Sequence, residues 1–218
     1  MAIAVDKIYC VSLSHRADRR ENIKRQLSTA QSRGVLAEEL AIEFVSEPRA
    51  TRSIAGHWSI GSAMVPPSWP YTAGYYAAGE SHRDIYHRLW NDPNWSAALI
   101  LEDDAEFTEH FYAGFNEFLE EINNDFPDWL ALWLGGWNRT APKRVGKLVN
   151  LQRGCTQMHA YVVNRHGLLR LWDHVWVEQF AVIDQSTASM MGIDECVYSP
   201  IEWHAVQGGY GSDTLRCV

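Results

Sequence analysis

The sequence is poor in cysteine, has no long apolar run and carries no excess of basic charge. Its four cysteines, Cys10, Cys155, Cys196 and Cys217, are scattered through 218 residues with no C-x-x-C pair. That spacing argues against a zinc ribbon or a disulfide framework, and reduced thiols are expected. No apolar run approaches the ~18 residues a membrane span needs, so no transmembrane segment is expected, although peripheral membrane contact stays open. Met1 to Val5 runs directly into Asp6 and Lys7 without the basic and apolar regions of a secretory signal, and the expected setting is cytoplasmic. Internal repeats and low-complexity segments are absent as well.

What is present is an acidic, aromatic-rich globular chain. Hydrophobic residues make up 46% and charged residues 21%, which excludes wholesale disorder. A chain of this length buries roughly 70% of its unfolded surface, enough for one domain spanning 1–218 without staples. The net charge of −8 is concentrated: residues 80–128 hold thirteen acids against two bases. Phosphate-backbone binding needs a basic footprint, so this balance opposes a nucleic-acid partner without excluding one.

Elements alternate along the chain. Ile8 to Leu13 reads as a buried strand, followed by a helix from Arg16 to Arg33 closed by Gly34. Leu40 to Val45 is a second strand candidate. Residues 46–79 show no steady period and hold four prolines, with Trp58 and Trp69 among several aromatics. A stretch this long without regular structure is usually functional, and here it is a candidate lid or acceptor wall. Ser81 is expected to cap a helix reaching Trp90, and Ala97 to Leu101 is the clearest strand. Thr108 is expected to cap an acidic helix carrying Phe111, Phe115, Phe118, Leu119 and Ile122 on one stripe. Strands at 129–134 and 158–163 and a helix from about Arg165 to Phe180 follow. Strand–helix alternation predicts an α/β fold with a mainly parallel central sheet flanked by helices.

In such sheets ligands sit outside the carboxyl ends of the strands. Two strands end there in polar signals, Leu13 before Ser14-His15-Arg16 and Leu101 before Glu102-Asp103-Asp104. Three adjacent carboxylates repel one another, and a divalent cation relieves that repulsion. The alternative is a solvated acidic turn at the start of the next helix. Arg16 and Arg19 lie near the first strand end and could hold phosphate, while Lys24 and Arg25 read as solvated helix surface. The nine histidines are dispersed, with no H-x-H or H-x-x-x-H pair. A metal-dependent phosphodiesterase or nuclease would need a denser set.

These residues together resemble glycosyltransferase family 25. Tyr9 to Leu13 followed by His15-Arg16 and Arg19 is similar to the family's opening I-N-L-x-R-R-x-x-R. Gly74 to His82 parallels G-E-I-G-C-x-x-S-H, keeping Gly74, Ser81 and His82. Leu99 to Ala105 contains I-L-E-D-D-A unchanged. Leu134-Gly135, Ala160-Tyr161, Ile183-Asp184 and the series Pro200, Gln207, Ser212 fall in the family's order. Ser12, Tyr75, Ala77 and Ala78 depart from it, which marks a divergent member.

The resemblance implies a glycosyltransferase A-type fold. It also implies a nucleotide-diphosphate sugar donor, UDP-hexose above all, with Mn2+ or Mg2+. It places Asp104 on the metal, Glu102 near the metal or ribose, and His204 as a third ligand candidate. The donor would lie along Ser12, Leu13, Arg16, Arg19, Ser81, Glu102 and Asp103. The expected reaction moves galactose or glucose to a hydroxyl acceptor, a glycan such as a bacterial lipooligosaccharide, with a hydroxymethylated DNA base as the alternative. An inverting transfer needs a general base, for which Asp184 is the candidate, its other reading being a helix cap. Trp137, just past Gly135-Gly136, together with Trp58 and Trp69, is a candidate for stacking on the acceptor. A carbohydrate-binding protein without chemistry would share the aromatics but has no need of the acidic triplet.

Overall fold

The structure, a computed structural model, describes residues 4–46, 73–178, 183–193 and 196–209, and the strands at 51–52, 58–60 and 63–65. Side chains of 51–52, 58–60, 63–65, 73–76 and 176–178 lie outside the description.

The chain opens with β1 (Lys7–Val11), α1 (Ala17–Ser32) and β2 (Ile42–Val45). Three short strands, β3 (Thr51–Arg52), β4 (Trp58–Ile60) and β5 (Ala63–Val65), pair with one another in antiparallel fashion. The stretch read as lacking regular structure therefore contains a small sheet. It also contains the start of α2 (Ala73–Asn91), which begins eight residues before Ser81. Ser81 is not a cap. It sits mid-helix, where its hydroxyl donates to the Ala77 carbonyl at 3.0 Å, the local bond that lets serine continue a helix.

Next come β6 (Ala97–Glu102), β7 (Ala105–Phe107), α3 (Glu109–Asp125) and β8 (Ala131–Trp133). A run of short strands follows: β9 (Trp137–Asn138), β10 (Lys143–Arg144), β11 (Val149–Leu151) and β12 (Cys155–Thr156). The chain closes with β13 (Ala160–Asn164), α4 (Arg165–Trp172), a π-helical turn at Asp173–Glu178, α5 (Ile183–Met190), β14 (Val197–Pro200) and β15 (Ala205–Gln207). Thr108 precedes α3, but its hydroxyl donates to the Trp203 carbonyl instead of capping the helix.

The central sheet has the order β10-β11-β14-β8-β13-β6-β1-β2. It is mixed, not mainly parallel. Only β2–β1, β1–β6 and β8–β14 pair in parallel, while the other four pairings are antiparallel. The expectation fails where helices are missing. Parallel neighbours need a crossover of a dozen or more residues, usually a helix. Residues 134–159, between β8 and β13, contain none, so the chain turns back and β13 enters antiparallel between β6 and β8.

Helices cover both faces. Leu99 and Leu101 of β6 join Ile23 and Leu27 of α1 and the phenyl stripe of α3 in one core. Ala98 and Ile100 join Ile85 and Leu89 of α2, Leu168 and Leu171 of α4, and Met190 of α5 in the other. Alternation along β6 thus decides which layer each side chain meets.

Candidate donor and transfer site

The site lies where β1 and β6 end and β13 begins. The ladder continues one step beyond the strands: Asp103 N–H donates to the Val11 carbonyl at 3.0 Å, and Glu102 N–H to the His159 carbonyl at 2.8 Å. The three acids therefore leave a fixed backbone and go to different partners.

Glu102 faces α2. His82 Nε2 lies 3.4 Å from its Oε1, His82 Nδ1 is 3.0 Å from the Tyr161 hydroxyl, and that hydroxyl is 2.9 Å from Tyr86 Oη. His82, Tyr86 and Tyr161 are fully enclosed, whereas the Glu102 side chain keeps 28% of its surface open. Burial alone would raise the pKa of Glu102. The hydrogen bond and charge of His82, helped by His159 and Arg19, outweigh burial and hold the carboxyl below its ordinary range.

Asp103 faces α1. Its Oδ1 accepts from Arg19 Nη1 at 2.8 Å in a pair that is almost entirely buried. The structure thus brings both residues to the strand end but turns them on each other. Arg16 reaches Asp18 through Nε and Nη2, each at 3.2 Å. Arg20 bonds Ser12 Oγ, Ser12 O and Ser46 Oγ. Ser12 is buried at the end of β1, where its hydroxyl donates to the Leu13 carbonyl at 3.4 Å.

Among the described residues the hydrogen-bond partners of Asp104 are neutral, and the Arg19 charge acts on it without a bond. Gln207 Nε2 donates to its Oδ2 at 2.9 Å, and its buried Oδ1 has no hydrogen-bond partner. Burial, then repulsion from Glu102 and Asp103, pushes its pKa up to about 7. Gln207 arrives because β15 pairs with β7 in the register Gln207↔Ala105, and Gly208 N–H donates to the Asp104 carbonyl at 2.7 Å.

Asp184 is the second carboxylate of this kind. It sits in the first turn of α5, so it is not the residue before the helix that a cap would require. Its Oδ1 is buried without a hydrogen-bond partner, while the backbone N–H groups of Gln157 and Gln185 work against the rise in its pKa. Burial and the negative charge of Glu102 raise it. Gln157 itself has φ +69°, a left-handed conformation costing ~1–2 kcal/mol for a residue with a Cβ. Its carbonyl accepts from Trp133 Nε1 at 3.1 Å.

Two glycines make the approach possible. A Cβ on Gly135 would overlap the Ala205 carbonyl and meet His159 Nε2 at 2.5 Å, and one on Gly136 would meet Cys155 Sγ at 2.5 Å. Past them, Trp137 stands 70% exposed. His159 was missed by sequence reasoning. It is buried beside Glu102, and desolvation lowers its pKa against the pull of that carboxylate and the Ala205 carbonyl.

His204 is not brought to the carboxylates. Its ring stands edge-on to Phe111, Phe115 and Phe118 at centroid distances of 5.5–6.2 Å, and burial pushes it down to about 4. The phenyl stripe of α3 claims it as a core side chain. Among the described residues no three His, Cys, Asp or Glu side chains form a ready-made metal cage. The donor set still fits a hard divalent cation, because such ions are commonly held by one or two carboxylates plus substrate phosphates. Asp104 Oδ1 is a buried acceptor with no donor, and a cation there removes its desolvation cost. The side chain of Trp58 and the whole of Trp69 lie outside the described residues.

A family model described as glycosyltransferase family 25 (LPS biosynthesis protein) matches residues 5–162. The chain belongs to that family. Over 139 residues, 61% of the chain, it is 24% identical to procollagen galactosyltransferase 1-A of Xenopus laevis. Over 155 residues, 67% of the chain, it is 26% identical to procollagen galactosyltransferase 2 of Mus musculus. These matches take in 21% and 24% of the relatives, so the chain spans about a quarter of their length or less. A Drosophila galactosyltransferase 7 variant, crystallised with manganese, UDP-Gal and xylobiose, overlaps 98% of the chain and 74% of its own at 8% identity and a TM-score of 0.49. No helix among the described residues is long and apolar enough to cross a membrane.

Proposed function

We propose that this chain transfers a hexose, galactose first and glucose second, from a UDP-sugar to the hydroxyl of a glycan, with Mn2+ or Mg2+ held at Asp104 and Glu102. The observation that carries the reading is Asp104. It is a buried carboxylate whose free oxygen has no donor and whose neighbours are carboxylates, at the end of a strand in the family's acidic block. The curated relatives are named galactosyltransferases, which supports the choice of sugar. The chain's net charge of −8 supports a glycan over a nucleic-acid acceptor. Three free thiols, Cys10, Cys155 and Cys196, support a reducing, cytoplasmic setting.

The residues divide the work. When bound, the cation supplies positive charge against which a diphosphate leaves. His82, fixed through Tyr161, keeps Glu102 ionised and turned to the cleft. Asp184 takes the acceptor proton on Oδ1 as the new glycosidic bond forms. Its pKa, raised by burial, makes it a stronger base than a free aspartate. Trp137 offers an open ring face for a sugar.

Isothermal titration of UDP with and without Mn2+, beside UDP release from UDP-galactose, tests the assignment. Metal-dependent UDP binding, and turnover that stops with chelator, is the expected result. Full turnover in excess chelator, or sugar binding with no UDP binding, would overturn it.

A further inference from the structure

We propose that the pocket between α2 and α4 is a saccharide-binding site separate from the transfer site, holding a neutral sugar between two tryptophans. Both helices pack on one face of the sheet, where Leu89, Leu168 and Leu171 join the same core. Between them they leave a cavity of about 360 Å³. Its walls include Trp90 and His87 of α2, with Trp172 and Asp173 at the end of α4. Tyr86 and Leu168, both buried, form its base. The Tyr86 hydroxyl is 2.9 Å from Tyr161 Oη and so is committed inward, leaving the pocket only the ring.

The lining selects the ligand. Trp90 is 55% exposed, although Leu89 before it is completely buried. A ring left in water adds little to the fold, and a ligand that covers it gains the apolar area it hides. Trp172 is half-buried against the core, and the His87 ring stands edge-on to it, with centroids 4.6 Å apart and planes at 72°. Asp173 is exposed and can accept from hydroxyls, and His87 offers a ring nitrogen. The lining holds no lysine or arginine, so a phosphate, a nucleotide or an anionic headgroup would meet a carboxylate with no cation to offset it. A bare alkyl chain would desolvate Asp173 without giving it a donor. A neutral sugar answers both halves, with its C–H face on indole and its hydroxyls donating to the carboxylate. The cavity is at the small end of the ~300–1,000 Å³ typical of ligand pockets, which suits a mono- or disaccharide. Trp90 follows His82 by eight residues on α2, about 12 Å along the helix axis, so this sugar does not share the place of one held at Glu102.

The test needs no catalysis, so its outcome is independent of the proposed transfer reaction. Protein carrying 15N-labelled tryptophan would be titrated with methyl β-galactopyranoside, methyl β-glucopyranoside and lactose, without metal or UDP, while the indole N–H signals are recorded. Trp90→Ala and Trp172→Phe assign the two pocket signals, and Trp137→Ala assigns the ring at the transfer site. Saturable, millimolar shifts of the Trp90 and Trp172 signals with at least one of these sugars are the expected result. Trp90→Ala should weaken that binding, read at Trp172, by roughly 2- to 12-fold, the scale of one aromatic stacking contact. Asp173→Ala should weaken it by at least ~10-fold, the scale of a hydrogen bond to a charged group. Both side chains are exposed, so the melting temperatures should stay close to that of the wild type.

Shifts confined to the Trp137 signal would put the sugar at the transfer site and overturn the inference. No shift with any of the three sugars up to ~50 mM, far above the millimolar scale, would overturn it as well. Binding left unchanged by both Trp90→Ala and Asp173→Ala would do the same. Hexanol or phosphatidylcholine vesicles moving the Trp90 signal where the sugars do not would mark an apolar or membrane-facing patch, again against the inference. A wild type that binds sugar at Trp90 yet releases no UDP from UDP-galactose would uphold this site and count only against the transfer reading.

Discussion

On the α1 side of the β6 terminus a buried carboxylate meets its counter-charge inside the chain; one residue later, another does not. Asp103 is paired with Arg19 at 2.8 Å, and Asp104 has Gln207 and an unpartnered oxygen. The two aspartates share sequence context, strand end and burial. What differs is where the neutralising charge comes from, and that separates a residue that holds the fold from one that waits for a ligand. The turn after β6 produces the difference: it sets Asp103 against Arg19 of α1 and leaves Asp104 beside Gln207 of β15.

The strongest way to break this comparison is to neutralise both aspartates in turn. Asp104→Asn should lower kcat/KM for UDP release by at least ~10²–10³-fold, the scale of a lost transition-state electrostatic contact. Its stability should not fall. The pKa of Asp104 is raised to about 7 in the fold, from an ordinary 3.8, so the native state there binds the proton more tightly than the unfolded chain. That contribution is fully present below pH 3.8 and is lost as pH rises through about 7. At pH 8 the neutral asparagine should therefore melt at or above the wild type, with the gap closing by pH 5. Added Mn2+ should raise the wild-type melting temperature more at pH 8 than at pH 5.

Asp103→Ala should do the reverse. Removing one partner of a buried ion pair leaves an uncompensated charge and costs ~3–5 kcal/mol, measurable by urea unfolding. Asp103→Leu with Arg19→Leu should recover part of that loss. If Asp104→Asn proved as destabilising as Asp103→Ala, the two carboxylates would be doing the same job and the contrast would be gone.

How far this was legible in the sequence follows the same line. The acidic block, the strand before it and the phenyl stripe of α3 are local patterns, and each appears where spacing put it: all five stripe residues are buried. The Asp103–Arg19 pair joins residues 84 apart, and no local pattern carries it. His204 was misread because a lone histidine near the end looks the same whether it faces a metal or a phenyl cluster. The mixed sheet was misread because β9 to β12 are two or three residues each, too short to show a period. Gln157 gave one faint signal, a polar residue following Cys155-Thr156 just before an apolar strand.

A finer break targets the Glu102 side. Tyr161→Phe removes the hydroxyl shared by His82 Nδ1 and Tyr86. Leaving buried polar groups unpartnered costs ~1–3 kcal/mol. His82 would no longer be held against Glu102, whose pKa is kept low by that hydrogen bond. Glu102 should then titrate higher, and the acid limb of the pH–rate profile should move to higher pH. An unmoved limb would mean that His82 is held by packing alone.

The smallest effect on stability is expected at Trp137, and it sharpens the contrast by repeating it with tryptophans. Trp133 and Trp137 lie four residues apart on either side of Gly135-Gly136. Trp133 is fully buried, stacks on Tyr161 at 5.1 Å and donates to the Gln157 carbonyl. Its truncation to alanine should cost ~3–5 kcal/mol. Trp137 is 70% exposed, and losing an exposed ring should change stability by no more than about 0.5 kcal/mol. A ring left in water beside a cleft has no packing reason to be there, whereas stacking on a sugar or base gives it one. Aromatic stacking contributes ~0.5–1.5 kcal/mol, so Trp137→Ala should weaken UDP-galactose or acceptor binding by roughly 2- to 12-fold at an unchanged melting temperature. If the loss falls on KM for UDP-galactose, the ring belongs to the donor. If it appears only when a glycan acceptor is varied, the ring belongs to the acceptor. If both constants stay at their wild-type values, Trp137 is outside the site and the cleft ends at Gly136.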